Sequence, residues 1–265
     1  MALWRRLLAG SDWSQFLDLL SPALFDVVSP LQLSHRAAEL ARRWFETERA
    51  SQLAQQLDER AVAIGLDVRV VAETLERSYV PFRARLAGEK LCQPAGDGNR
   101  LLQYFFFQIY AGDSGFLDLR ASRFCRASEP GKIAFRPLPL YATWQPDFVQ
   151  GIRQLYDGFY GGDESDYEYA VKALGVAPAS DVFRQAFGGP RRHACVYTVA
   201  GFRETFHEVF VRCRDAKVAF HPDFITLGIA IATLYDHLES LGGCYDVEAQ
   251  HSAVKGLLAG SSPGA

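Results

Sequence analysis

Apolar residues follow the spacing of amphipathic helices along most of this chain, and one internal stretch breaks the pattern. The stretch covers residues 115–138, "GFLDLRASRFCRASEPGKIAFRPL". Its short apolar runs at residues 116–120 and 132–135 flank "SEPG" at residues 128–131, which is a typical turn sequence. The sequence therefore predicts a mainly α-helical protein that contains one small β-hairpin.

Helical periodicity also extends through the N-terminal part of the chain. One long helix is expected over residues 31–64, and another is expected from Asp67 to Pro81. The turn-forming residues "CQPAGDGN" at 92–99 predict a boundary. We expect an N-terminal helical region over residues 1–97, a helical domain with the hairpin over residues 98–258, and a disordered tail over residues 259–265.

Composition narrows the class of protein and its compartment. The net charge of −3 gives no basic footprint, so nucleic acid is not an expected partner. Five cysteines without a C-x-x-C pair indicate reduced thiols and a cytoplasmic protein, and they argue against structural zinc. No apolar run is long enough for a transmembrane segment, although Trp4, Arg5 and Arg6 in "MALWRRLLAG" leave a peripheral membrane contact open.

The order of several segments resembles a known family. The segments "LLQYFFFQIYAGDSGF", "GKIAF", "QPDFVQGIRQLY" and "GGDESDYEYAVKALGV" follow one another as similar segments do in the C-terminal lobe of UbiB-type (AarF-like) atypical kinases. The resemblance covers roughly residues 98–250. It implies a kinase C-lobe-like fold, and it places Asp118 at the aspartate of the family motif HADPHPGN.

The departures from that family concern the residues that hold the metal. Arg123 stands about where the metal-binding asparagine is expected, and both histidines of the motif are missing. Where a DFG triplet is expected, the chain has Arg136, Pro137 and Leu138. Phosphoryl transfer needs a carboxylate and an amide that hold Mg²⁺ against the nucleotide phosphates, and arginine and proline cannot do this. For Asp118 itself, hydrogen bonds to neighbouring backbone are the favoured role.

We therefore expect no catalytic residue, no metal site and no cofactor. Residues 1–97 add no Gly-rich loop, and the lysine they contain, Lys90, lies near their end. The resemblance implies a pseudokinase-like protein with a non-catalytic binding or regulatory role. By family analogy, this role would be linked to isoprenoid quinone or membrane-lipid metabolism, with a protein partner or a lipid-like ligand.

Two alternatives from other classes remain open on the sequence. A di-iron carboxylate enzyme would use the two E-x-x-H pairs, Glu204 with His207 and Glu248 with His251. A helical wheel places Glu204 nearly opposite the apolar face of its helix, which favours a solvated pair, whereas the position of the second pair is not fixed. A helical carrier of a hydrophobic ligand would instead have a large apolar cavity lined by the aromatic helices.

Overall fold

The computed structural model describes residue 28 and residues 30–72, 90–186 and 195–261. These residues form nine α-helices: α1 Pro30–Arg43, α2 Thr47–Ala63, α3 Asn99–Ala111, α4 Pro146–Gly161, α5 Glu164–Ala173, α6 Ser180–Ala186, α7 Val199–Asp215, α8 Phe224–Leu241 and α9 Val247–Gly260. The same residues form five short strands: β1 Val68–Val70, β2 Ser114–Phe116, β3 Phe124–Arg126, β4 Ile133–Phe135 and β5 Tyr141–Thr143. The predicted mainly α-helical fold is confirmed.

The strands form two small sheets, and one of them contains a hairpin. The larger sheet has the order β1-β4-β3, with β1 parallel and β3 antiparallel to β4. The other sheet pairs β2 with β5. The hairpin is therefore β3–β4, and the prediction that its first strand covers residues 116–120 was wrong. The reason is tertiary, because the Leu117 carbonyl and the N–H and carbonyl groups of Leu119 contact side chains of α8.

The helix expected over residues 31–64 is interrupted. It is divided into α1 and α2 by a turn, in which the Glu46 N–H donates to the Arg43 carbonyl at 2.9 Å. The interruption leaves Phe45 as an exposed residue at the corner between the two helices. The prediction of a single helix was wrong because the helical spacing of the apolar residues continues across the turn. The sequence pattern therefore does not show where the first helix ends.

The first residues of the helix that was expected from Asp67 form a strand instead. Val68–Val70 pairs in parallel with Ile133–Phe135, and Asp58 of α2 accepts the Val70 N–H at 2.7 Å. A non-local strand partner overrides the local periodicity here. The remainder of that predicted helix falls in residues 73–89, outside the described part of the chain.

Helix α3 lies at the centre of the core. Its aromatic residues Tyr104, Phe105, Phe106 and Phe107 are all buried. Arg153 of α4 binds the C-terminal end of α3, because its Nε donates to the Ile109 carbonyl at 2.8 Å and its Nη2 to the Gly112 carbonyl at 2.7 Å. These bonds satisfy carbonyl groups that a helix end leaves without partners. They also fix the direction in which the chain enters β2 and the loop after it.

The predicted domain boundary and tail can be placed on this fold. The β1–β4 pair joins the region before residue 97 to the region after it, while the division itself stays a prediction. Helix α9 runs to Gly260, so the first two residues of the tail expected to be disordered are helical, and residues 262–265 lie outside the description. Among the described helices, none has the length and apolar character needed to cross a membrane.

Candidate functional site

The loop that follows β2 is bound to one face of α8. Thr233 accepts the Leu119 N–H at 3.0 Å through its hydroxyl oxygen, and the same hydroxyl approaches the Leu117 carbonyl at 2.8 Å. One turn further along α8, His237 Nδ1 lies 3.0 Å from the Leu119 carbonyl. Two polar side chains at i and i+4 of an apolar helix therefore fix the backbone on both sides of Asp118.

Asp118 is buried at this point, with only 1% of its surface exposed. Its carboxylate is the acceptor of an ion pair. Arg120 donates to it with a forked geometry, Nε to Oδ1 at 2.8 Å and Nη2 to Oδ2 at 2.9 Å. The Arg120 N–H also donates to Oδ1 at 3.2 Å, so the predicted backbone hydrogen bond is confirmed. Arg123 adds a second guanidinium 3.5 Å from Oδ2. Both carboxylate oxygens are thus engaged inside the protein.

The positions at which the kinase resemblance places metal ligands lie next to each other. The short 3₁₀ turn Ala121–Arg123 ends in Arg123, which is buried, and the Arg136 N–H donates to the Arg123 carbonyl at 2.8 Å. The structure therefore brings Asp118, Arg123 and Arg136 into one region, although residues 124–135 separate the two arginines in sequence. At both positions where the resemblance would place a metal ligand, this chain has an arginine.

Two titratable residues of α8 accompany this cluster. Burial lowers the pKa of His237 to about 4, against the opposing effects of the Leu119 carbonyl and the Asp118 charge. At neutral pH the imidazole is therefore neutral. Burial raises the pKa of Asp236, whereas the charge of Arg120 acts in the opposite direction. Sequence reasoning missed the roles of His237 and Thr233, and the available signal was a pair of polar residues four apart, and so on one face, of a mainly apolar helix.

The residues of the metal alternative are not gathered into a site. Glu204 and His207 are exposed on α7, and Glu248 is exposed on α9. His251 is buried, with its Nε2 2.9 Å from the Tyr110 hydroxyl. Nowhere in the described ranges do three or more His, Cys, Asp or Glu side chains form a group that could hold a metal ion. This arrangement does not favour the di-iron alternative.

His251 belongs to a polar network that joins three helices. The Tyr110 hydroxyl of α3 donates to Asp157 Oδ1 of α4 at 2.8 Å, and Lys255 of α9 donates to Asp157 Oδ2 at 3.0 Å. Burial lowers the pKa of His251 to about 4. The imidazole is packed against the ring of Phe106, with ring centres 5.2 Å apart. The network explains the buried histidine as a structural contact between helices.

Comparisons with known proteins do not supply a family for this arrangement. No protein-family model matches the chain, and neither does any protein in a search of curated sequences. The site around Asp118 must therefore be interpreted from its own geometry. That geometry is a buried carboxylate between arginines, on a loop bound to a helix.

Proposed function

We propose that this protein is a non-catalytic, pseudokinase-like protein with a binding or regulatory role. The observation that carries the proposal is the pairing of Asp118 with Arg120 through both carboxylate oxygens. A catalytic base must reach the proton of its substrate, and a buried carboxylate with both oxygens occupied does not. The proposed link to isoprenoid quinone or membrane-lipid metabolism rests on the family resemblance alone.

The spacing of the loop supports this reading. Kinase catalytic loops have an aspartate followed five residues later by an asparagine that holds Mg²⁺. Here the residue five positions after Asp118 is Arg123, and its guanidinium lies 3.5 Å from the carboxylate. Two like unit charges 4 Å apart repel each other by about 4 kcal/mol at an effective dielectric constant near 20. The repulsion is twice as large when one of the two charges is a divalent ion. A buried guanidinium beside the position of the metal therefore opposes Mg²⁺ binding.

Thermal unfolding with nucleotide tests the proposal. A ligand that binds only the folded state raises the unfolding midpoint, and 1 mM ATP with a dissociation constant of 0.1 mM would add about 1.4 kcal/mol. For a chain of this size, that energy corresponds to a rise of about 3 to 6 °C. We expect Mg²⁺-ATP to leave the midpoint unchanged.

Controls make this result specific. Mg²⁺ alone and ATP with EDTA separate the effect of the ion from that of the nucleotide. A rise that appears only with Mg²⁺ and ATP together, and that saturates with concentration, would overturn the proposal. If the Arg136→Ala variant lost this rise, the nucleotide would be bound beside Arg123 and Arg136, and the proposal would again be contradicted.

A further inference from the structure

Helix α1 has few apolar contacts with the core. None of residues 31–43 is buried, and the apolar side chains of this range that pack against the core are those of Leu33 and Leu40. In α2, by contrast, four residues are buried: Ala50, Ala54, Leu57 and Ala61. A helix of 14 residues is marginally stable by itself in water, so α1 depends on its contacts with other elements.

Two arginines of α1 supply polar contacts with other elements. Arg36 Nη2 donates to Oδ1 of Asp223, directly before α8, and Arg43 Nη1 donates to the Tyr141 carbonyl of β5 at 3.2 Å. Glu39 accepts hydrogen bonds from both arginines. Asp223 has only 1% of its surface exposed, and a buried carboxylate that loses its charged partner is strongly destabilised. The Arg36–Asp223 ion pair is therefore the contact that most favours the docked position of α1.

The Asp223 carboxylate has a second potential partner in the imidazole of His221. His221 Nδ1 lies 4.0 Å from Asp223 Oδ2, and the same oxygen accepts the Gln145 N–H at 2.8 Å. In the docked arrangement Nδ1 accepts the Asp223 N–H at 3.2 Å, which requires that this nitrogen carry no proton. A protonated imidazole loses this hydrogen bond and becomes a donor beside the carboxylate. Protonation therefore gives His221 a charge that pairs with the same carboxylate as Arg36.

The charges that act on His221 come from its own segment, from α4 and from α1. The ring of His221 is stacked on Phe148 of α4, with ring centres 4.7 Å apart. Burial lowers the pKa of His221. The charges of Asp223 and of Asp147 on α4 act in the opposite direction, whereas the charge of Arg36 lowers the pKa further. When α1 separates from α8 and β5, Arg36 leaves with it, so the undocked form binds the proton more tightly.

We propose that Arg36 and protonated His221 compete for the Asp223 carboxylate, and that this competition makes α1 a pH-sensitive latch. His221 is neutral above about pH 6.5, where α1 is held in place through Arg36. Below this pH the undocked form takes up a proton more readily than the docked form, so acidification favours release of α1. The proposal goes beyond the proposed function and does not depend on it, because nucleotide takes no part in the latch.

Hydrogen exchange of the full chain, measured by mass spectrometry on peptides from α1, tests the release of this helix. After correction for the intrinsic exchange rate, we expect the protection of α1 amides to fall about 2- to 10-fold from pH 7 to pH 5, because one pKa unit corresponds to a factor of ten. His221→Asn keeps an oxygen that can accept the Asp223 N–H and cannot be protonated, so its α1 protection should not fall.

His35→Gln is the matched control for this exchange experiment. His35 is exposed on the same helix, so the variant should keep the pH dependence of the unmodified protein. An equal fall of α1 protection in His221→Asn and in the unmodified protein would overturn the proposal, as would the absence of any fall in the unmodified protein.

An NMR titration of the His221 ring tests the competition itself, with His221→Asn identifying the signal by its loss. Arg36→Gln removes the competing charge, so the proton affinity of His221 should rise about 2- to 10-fold, because proton binding and docking are reciprocally linked. Arg42→Gln is the matched control, since Arg42 lies on the same helix with 67% of its side chain exposed, and it should leave the pKa of His221 unchanged. The same pKa in Arg36→Gln as in the unmodified protein, or an equal rise in both arginine variants, would contradict the proposal.

Discussion

The Asp118→Ala substitution separates a structural role of this carboxylate from a catalytic one. In the structure the side chain accepts two hydrogen bonds from the Arg120 guanidinium and one from its backbone N–H. Arg120 is itself buried, with 4% of its surface exposed. Removing one member of a buried ion pair costs about 3 to 5 kcal/mol. We therefore expect the free energy of unfolding to fall by that amount.

An independent sum of hydrogen bonds gives the same magnitude. Bonds to a charged group contribute about 1.5 to 3 kcal/mol each, so the two bonds from the guanidinium to Asp118 account for about 3 to 6 kcal/mol. In a chain of this length, a loss of 3 to 5 kcal/mol lowers the midpoint by about 6 to 20 °C. Urea denaturation followed by circular dichroism measures the change directly.

A surface ion pair supplies the matched control. Glu168 and Lys172 of α5 lie 3.6 Å apart, and the exposed fractions of their side chains are 57% and 69%. The Glu168→Ala variant should lose less than about 0.5 kcal/mol, because exposed pairs contribute little. In Asp118→Ala/Arg120→Ala the loss should be smaller than the sum of the two single losses, as is usual for residues in contact. A loss below about 1 kcal/mol in Asp118→Ala would refute the structural role and leave this carboxylate available for chemistry.

Two further predictions concern packing and pH. Gly158→Ala should destabilise the protein by about 3 kcal/mol, because its Cβ would lie 2.5 Å from the Tyr167 backbone nitrogen. Gly161→Ala, where the space is open, should not destabilise it; urea denaturation of both variants makes the comparison. Acidification from pH 7 to pH 5 should lower the free energy of unfolding by about 2 kcal/mol for each of His237 and His251. The pKa of each is about 4 in the folded protein and near 6.5 when unfolded, so the unfolded state binds the proton first. The urea midpoint of His251→Phe should change less between these pH values than that of the unmodified protein, and an equal change would contradict the assignment.

Local sequence patterns were sufficient for part of the fold. The apolar face of α3 and the Gly and Pro residues that end helices are local signals, because backbone conformation depends on neighbouring side chains. The turn at residues 128–131 correctly indicated a hairpin for the same reason. The proximity of Arg120 to Asp118, two residues apart, was also present in the sequence.

Tertiary structure decided where the local signals were ambiguous. Val68–Val70 is a strand because β4 provides a partner more than 60 residues away, and no local periodicity contains that information. The loop of Asp118 leaves the sheet because Thr233 and His237, more than 110 residues away in sequence, bind its backbone. Burial then determined the chemical role of Asp118. An aspartate carboxylate can act as a base where solvent and substrate reach it, whereas it serves as the acceptor of an ion pair where arginines enclose it. The sequence indicated most of the helical segments, whereas the packing of distant segments determined the strand at Val68–Val70 and which side chains are buried together.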